Sequence, residues 1–545
     1  MDGNTIFYNI ASIFKSDDSK RIGYFKEKAG INSFLNFCRD NLPLIAIVTL
    51  FIFSTYGIKL WFYSIGIDME LVMAGYGYNP NAPRGTGAVM GRWGGDILGL
   101  VFSFLSAKES NPWLAFFSGF CLFWLVAVEW CYFINIFSNK TGTNNNLIPF
   151  AVIFSTMQVW IEMFYFFGWG TQFFLFICPI TTYLFYKGFL DDEKWKIIAA
   201  FIITLLVVAS YQSMLLLFCL CIFIAFVLIQ ENSDYDKKFY GFLCLKLFVT
   251  VLIALVLYLA INRLMLIIHK TQQNGYIDRM IRWGKDPASS NIGAIKNYFF
   301  NLMLGRSRIS SFNYLLPEIV LFLAFGVFAA FKQIKPGRRA LYILALVGVP
   351  LTFCVLPIAG AYSPPLRSQY ALPFAAGFML YYIIIHCKKF KVLSYIVFAA
   401  ALIIAMRQSQ IGSQMYYSDY MRYQEDVRLA GDFARRLEPF EDAGNTIPVV
   451  FVGKIRAANK FKRNFIEGEI VGRSFWGLQG AWTSSPIDGL SFMRTIGLNY
   501  PFPNEAQLNE ALQAWQYLPS YPAEGCIARL QNVIVFKLSD DLYGW

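Results

Sequence analysis

The sequence predicts an all-α polytopic membrane protein with a small α/β domain at its C-terminal end, and three observations predict it. Of 545 residues, 56% are hydrophobic and only 15% charged, against about 25% charged in a soluble globular domain. The mean hydropathy is +0.46. The apolar residues gather into stretches close to the ~20 residues a helix needs to cross the hydrocarbon core, and after Met406 the hydropathy collapses.

Residues 1–42 read as a cytoplasmic or interfacial segment. "MDGNTIFYNIASIFKSDDSKR" lacks the basic start, apolar core and small-residue cleavage site of a signal peptide. Its "IFYNIASIF" reads either as an interfacial amphipathic segment or as a short helix packed on the protein. A transmembrane catalytic domain over 43–407 follows, with spans expected at Pro43–Ser64, Trp113–Phe137, Leu147–Trp169, Thr171–Lys187, Phe239–Leu266, Leu315–Phe331, Leu341–Ile358, Tyr370–His386 and Val392–Met406. The run Ile197–Ile229 is long for one span and short for two; its polar middle, "ASYQSM", suits a tight reversal between two short helices. The total is then about eleven spans, or ten if that run crosses once. Residues 408–545 mix a helix-like charged stretch, "YMRYQEDVRLAGDFARRLEPF", with the strand-like runs "TIPVVFVGK" and "CIARLQNVIVFKL". They read as a separate α/β domain on the outer, periplasmic face of an inner-membrane bundle.

Lysine and arginine set the orientation. With eleven spans, the clusters at Lys187/Lys194/Lys196, Lys237/Lys238, Lys332/Lys335/Arg338/Arg339 and Lys388/Lys389/Lys391 face the cytoplasm. The loop at 65–112, the loop at 267–313 and the tail then face outward. The net charge of +12 therefore reflects residues flanking apolar runs, not a nucleic-acid surface. The 267–313 loop resists this rule, since its Lys270, Arg279, Arg282, Lys285, Lys296, Arg306 and Arg308 belong inside by charge alone. Either the count is ten, or those cations have a task.

Several chemistries are missing. Nine of the ten cysteines lie in or beside apolar segments, where cysteine acts as a small hydrophobe, so neither a disulfide framework nor a paired-cysteine metal site is encoded. No phosphate-cradling GxxxxGK[ST], HExxH or Ser/His triad occurs. The two histidines, His269 and His386, have no carboxylate orienter nearby in sequence, which demotes histidine-dependent acyl transfer.

The candidate chemistry lies in "SIGIDMELVMAGYGYNPNAPRGTGAVMGRWGGDIL", immediately after the first span. Asp68 and Glu70 are too poorly aligned for a tight carboxylate pair, lying on opposite sides of a strand or about 200° apart on a helix. One of them at the water interface, raised in pKa by apolar neighbours, suits a base for a sugar hydroxyl; the alternative is an anchor or a salt bridge to Arg84 or Arg92. In "GRWGGD" the glycines allow close backbone approach beside Arg92 and Asp96, and Trp93 offers a flat face to a sugar or packs its own turn. Glu129 and Glu162 lie within expected spans, where acids are by default functional candidates. Structural pairing is the favoured reading for Glu129, while Glu162, before "FYFFGWGTQ", reads as close to an outward turn. Arg282, Arg306, Arg308 and Arg367 ("PPLRSQ") could gather round an anionic headgroup, since arginine grips phosphate in a bidentate fork; general contact with anionic lipid is the alternative. "NIGAIKNYFFNLML" reads as an interfacial amphipathic helix.

"YSIGIDMELVM", "GRWGGDIL", "SYQSM" and "PPLRSQ", in this order and on the outward side, resemble the bacterial glucosyltransferases that modify O-antigen and convert serotype, within the C-type (GT-C) membrane glycosyltransferases. The resemblance covers roughly Pro43 to Met406. It implies a polyprenyl-phosphate-linked sugar donor, glucose in these families, and a hydroxyl of a lipid-linked or surface polysaccharide as acceptor. It implies inversion in a single displacement with Asp68 as base and arginines on the leaving phosphate. Tyr211 and Gln212 would join Arg92, Trp93, Asp96 and Glu162 around the sugars. No cofactor or metal is expected; the functional partners would be a donor synthase and a flippase. The competing class is a transporter or flippase for a lipid-linked oligosaccharide, disfavoured because the hydropathy shows no inverted repeat.

Overall fold

The computed structural model describes residues 24–25, 30–66, 69–73, 86–95, 97, 112–272, 281–306, 314–441, 446–455, 466, 468–478 and 485–541. Its helices are, in order, α1 (Ile31–Asp40), α2 (Leu42–Tyr56), α3 (Ile58–Trp61), α4 (Met69–Met73), α5 (Thr86–Val89), α6 (Pro112–Phe137), α7 (Ile148–Thr156), α8 (Val159–Leu190), α9 (Lys194–Ser210) and α10 (Met214–Asn232). They continue as α11 (Lys237–Ile268), α12 (Ala288–Met303), α13 (Leu315–Lys332), α14 (Arg339–Gly360), α15 (Ala371–His386) and α16 (Lys391–Leu437). The C-terminal region adds β1 (Val449–Val452), α17 (Phe475–Leu478), α18 (Ser485–Thr495), α19 (Glu505–Ala514), β2 (Ile527–Arg529) and β3 (Ile534–Lys537).

Among the described residues, seven helices are long and apolar enough to cross a membrane, or eight when the bent pair α1–α2 counts as one. The shorter apolar α15 adds a further candidate. The chain turns through 86° between α1 and α2. Asn41 fixes the corner: its amide donates to the carbonyls of Phe37 and Gly142, and its Oδ1 accepts from Asn144 N. "IFYNIASIF" lies outside the described residues.

Two boundaries differ from the sequence expectation. "GWGTQ" is not a turn: α8 runs unbroken from Val159 to Leu190, and the interruption falls earlier, at Met157–Gln158. A glycine inside a helix costs about 1 kcal/mol relative to alanine, far less than the several kcal/mol for each peptide group left unsatisfied in an apolar medium. At Met157 the backbone is extended, and Trp160 Nε1 donates to the Phe154 carbonyl at 2.6 Å. At the other end, the chain does not break near residue 408, because α16 is one helix of 47 residues. Its apolar first part belongs with the bundle, and its charged remainder packs in the C-terminal region. The "SYQSM" segment does interrupt helix, between α9 and α10.

The strand order is β1-β3-β2, with β1 parallel and β2 antiparallel to β3. The two faces of the sheet feed different cores by the period-2 rule. Val449, Phe451, Ile534 and Phe536 join Phe433 of α16 and Trp476. Val450, Val452 and Val535 lie under Leu508 and Ala511 of α19. Ile65 is buried in the first of these clusters, and Met73 packs against it. The start of the first loop is therefore built into the core of the C-terminal region.

Candidate active site

"GRWGG" sits directly on the "SYQSM" interruption. Gly91 adopts φ +71°, and a Cβ there would lie 2.6 Å from the Tyr258 hydroxyl and 2.7 Å from Gln212 Nε2. Those two groups hold the turn: Gln212 Nε2 donates to Met90 O at 2.8 Å, and Tyr258 Oη donates to Gly91 O at 2.9 Å. Trp93 is 3% exposed and packs among Ala88, Val208, Ala209 and Tyr258, so its ring is occupied by packing. The Arg92 guanidinium stacks 4.5 Å over the Tyr211 ring. Tyr211 meets Tyr370 edge to face at 5.5 Å, and Tyr370 stacks on Trp160 at 6.2 Å.

Arg367 reaches the same place from the "PPLRSQ" turn. Both it and Arg92 lie within electrostatic reach of the Tyr370 hydroxyl. Arg367 Nη1 is 3.6 Å from Glu469 Oε2, which also accepts from Leu366 N at 2.9 Å.

Glu469 opens a segment that three buried acids grip by its backbone. Glu162, in the first turn of α8, accepts from Glu469 N at 2.6 Å, Ile470 N at 3.1 Å and Val471 N at 3.4 Å. Both carboxylate oxygens of Glu162 are thereby engaged, and a Cβ on Gly468 would run into Glu162 Oε1. Asp419 accepts from Gly472 N at 3.0 Å. Asp426 accepts from Ser474 Oγ at 2.5 Å and Phe475 N at 3.1 Å.

Two of these acids, Asp419 and Asp426, also hold the entry to the first loop. Ser64 Oγ donates to Asp419 Oδ2, and Lys59 Nζ lies 3.3 Å from that oxygen. Arg422 bridges Asp419 and Asp426 and donates to the Ile65 carbonyl at 3.1 Å. Lys59, Arg422, Asp419 and Asp426 are each at most 9% exposed, so two cations balance two anions away from water. Asp419 lies thirteen residues past Met406, about 20 Å along the helix. Burial alone would raise its pKa, but Arg422, Lys59 and the Ser64 hydroxyl together hold it below the usual carboxylate range. For Asp426 burial outweighs Arg422 and Ser474, and the carboxyl is pushed up to about 6.

Glu70 is fully buried in α4, which packs against α18. Asp68, Asp96 and Arg308 lie outside the described residues. Arg282 and Arg306 are exposed; Arg282 N donates to Gly360 O, and the Arg306 guanidinium lies 5.5 Å over Phe300. The structure thus brings Arg92, Tyr211, Gln212 and Arg367 into one neighbourhood. It assigns Glu162 to the 469–471 backbone. Lys59, Ser64, Asp419, Arg422, Asp426 and Glu469 escaped the sequence reading. The signal for three of them was the Asp419/Arg422/Asp426 spacing of three and four, which lines one helical face.

No family model, no curated protein and no solved structure matches the chain.

Proposed function

We propose that the chain is a C-type membrane glycosyltransferase that moves a sugar, glucose by its resemblance to the O-antigen-modifying enzymes, from a polyprenyl-phosphate donor to a hydroxyl of O-antigen or another surface polysaccharide. The reaction belongs on the periplasmic face of a bacterial inner membrane. The observation that carries this reading is the meeting of "GRWGG", "SYQSM" and "PPLRSQ" around Tyr370, beside a first loop whose entry is anchored by buried ion pairs.

In this reading Asp68 takes the proton of the acceptor hydroxyl as its oxygen attacks the anomeric carbon. The bond from that carbon to the phosphate oxygen breaks, and the electron pair leaves with polyprenyl phosphate. Configuration inverts because attack and departure occupy opposite faces. Arg92 and Arg367 offset the charge gathering on the leaving phosphate, and the exposed Arg282 and Arg306, together with Arg308, draw the donor headgroup in. Gln212 holds the Arg92 turn, and Trp93 braces it. A donor synthase and a flippase would supply the outward-facing donor.

The test is transfer of labelled glucose from polyprenyl-phosphate-glucose to polysaccharide by the purified protein in vesicles. Label in the polysaccharide supports the reading. Lipid-linked sugar that crosses the bilayer without being transferred would replace it with the transport reading.

A further inference from the structure

A second feature lies at the opposite end of the bundle. The helix α2 runs from the α1 corner towards α3, which carries Lys59, so α1 marks the end remote from the C-terminal region. Between α1, α6 and α8 is a cavity of about 420 Å³, walled by Phe34, Phe133, Phe137, Phe176 and Tyr183. Ile31 at its rim is 79% exposed, so the cavity opens on the outer surface of apolar helices. One acid, Glu129, lines this apolar space.

Glu129 is 7% exposed, and among the described residues its Oε2 has no hydrogen-bond partner. Among the described residues, no lysine or arginine lines the cavity. Glu129 precedes the α6 end at Phe137 by eight residues, about 12 Å. A buried carboxyl oxygen with no hydrogen bond is costly. A bound molecule that brings a donor removes that cost while its chain fills the apolar walls.

We infer that this cavity binds an aliphatic, hydroxyl-bearing amphiphile, with the Glu129 carboxyl accepting the hydroxyl hydrogen bond. The site is independent of the transfer reaction proposed above.

The test uses the full chain in phosphatidylcholine vesicles, a lipid without a hydrogen-bond donor, and an apolar carbodiimide that modifies buried carboxyls. Mass spectrometry locates the adduct. Glu129 takes the label in the wild type and the site is silent in Glu129→Gln. Adding 1-dodecanol slows labelling about tenfold, the value of one hydrogen bond to a carboxyl group, whereas dodecane, with the same chain and no hydrogen-bonding group, leaves the rate nearly unchanged. Phe133→Trp, which narrows the cavity, weakens the dodecanol effect while Glu129 still labels. Equal protection by alcohol and alkane, or protection by neither, overturns the proposal. So does an unlabelled Glu129 in folded wild type.

Discussion

Ser64 Oγ donates to Asp419 Oδ2 at 2.5 Å across 355 positions of the chain. The bond joins the entry of the first loop to the middle of the 47-residue helix, and Asp419 in turn accepts from Gly472 N. One carboxylate therefore positions both the loop that leads to Asp68 and the segment that carries Glu469. Removing one member of such a buried cluster strands the others, at about 3–5 kcal/mol.

Asp419→Asn should accordingly lower the thermal unfolding midpoint, and the loss should depend on pH. The Asp419 pKa is held below the ordinary value in the folded chain. Its contribution is then present above the unfolded pKa and is lost as pH falls through the folded one. The midpoint difference between wild type and variant is full at pH 7 and shrinks progressively below about pH 5. A difference that does not vary with pH contradicts this.

Glu162→Ala leaves three backbone N–H groups without their acceptor. Each stranded donor costs about 1–3 kcal/mol. Limited proteolysis should cut within 468–475 in this variant while leaving the bundle intact, and wild type should resist. Equal resistance would show that the carboxylate is dispensable for holding the segment.

Gly91→Ala places a methyl group against Tyr258 and Gln212 at a left-handed position, where a side chain costs about 1–2 kcal/mol before any clash. Displacing Arg92 from Tyr211 should reduce kcat/KM for the donor by one to two orders of magnitude, about 1.4–2.8 kcal/mol of transition-state stabilisation. Circular dichroism should remain that of wild type.

Arg367→Lys keeps the charge but loses the planar fork. A fall in kcat with little change in KM is expected if this guanidinium meets the phosphate only as it departs. Chelation by EDTA should leave the wild-type rate unchanged, since the proposed displacement uses side chains alone.

Some of this was legible before any coordinates. Hydropathy locates the apolar helices because every residue of a span contributes to the signal, and "TIPVVFVGK" and "CIARLQNVIVFKL" mark β1 and the β2–β3 pair by short runs of β-branched and aromatic residues. The polar "SYQSM" marks a real interruption because it breaks an apolar run. What stayed hidden shares one cause. The partners of Glu162 are backbone N–H groups some 307 positions away, which carry no side-chain signature. The glycines of "GWGTQ" misled for the opposite reason, since a local turn signal yields to intrahelical hydrogen bonding among apolar helices. The role of Ile65 in the C-terminal core was invisible because a single apolar residue in a loop has no periodicity.

The most direct test of the account is the rate of labelled glucose transfer by Asp68→Asn, set against wild type and Asp68→Glu in the same vesicles. The account predicts that the asparagine variant, folded and able to bind donor, loses two or more orders of magnitude, about the size of general-base catalysis, with glutamate restoring part of the rate. Transfer at the wild-type rate by Asp68→Asn would contradict it and move the search for the base to Glu70 and Asp96.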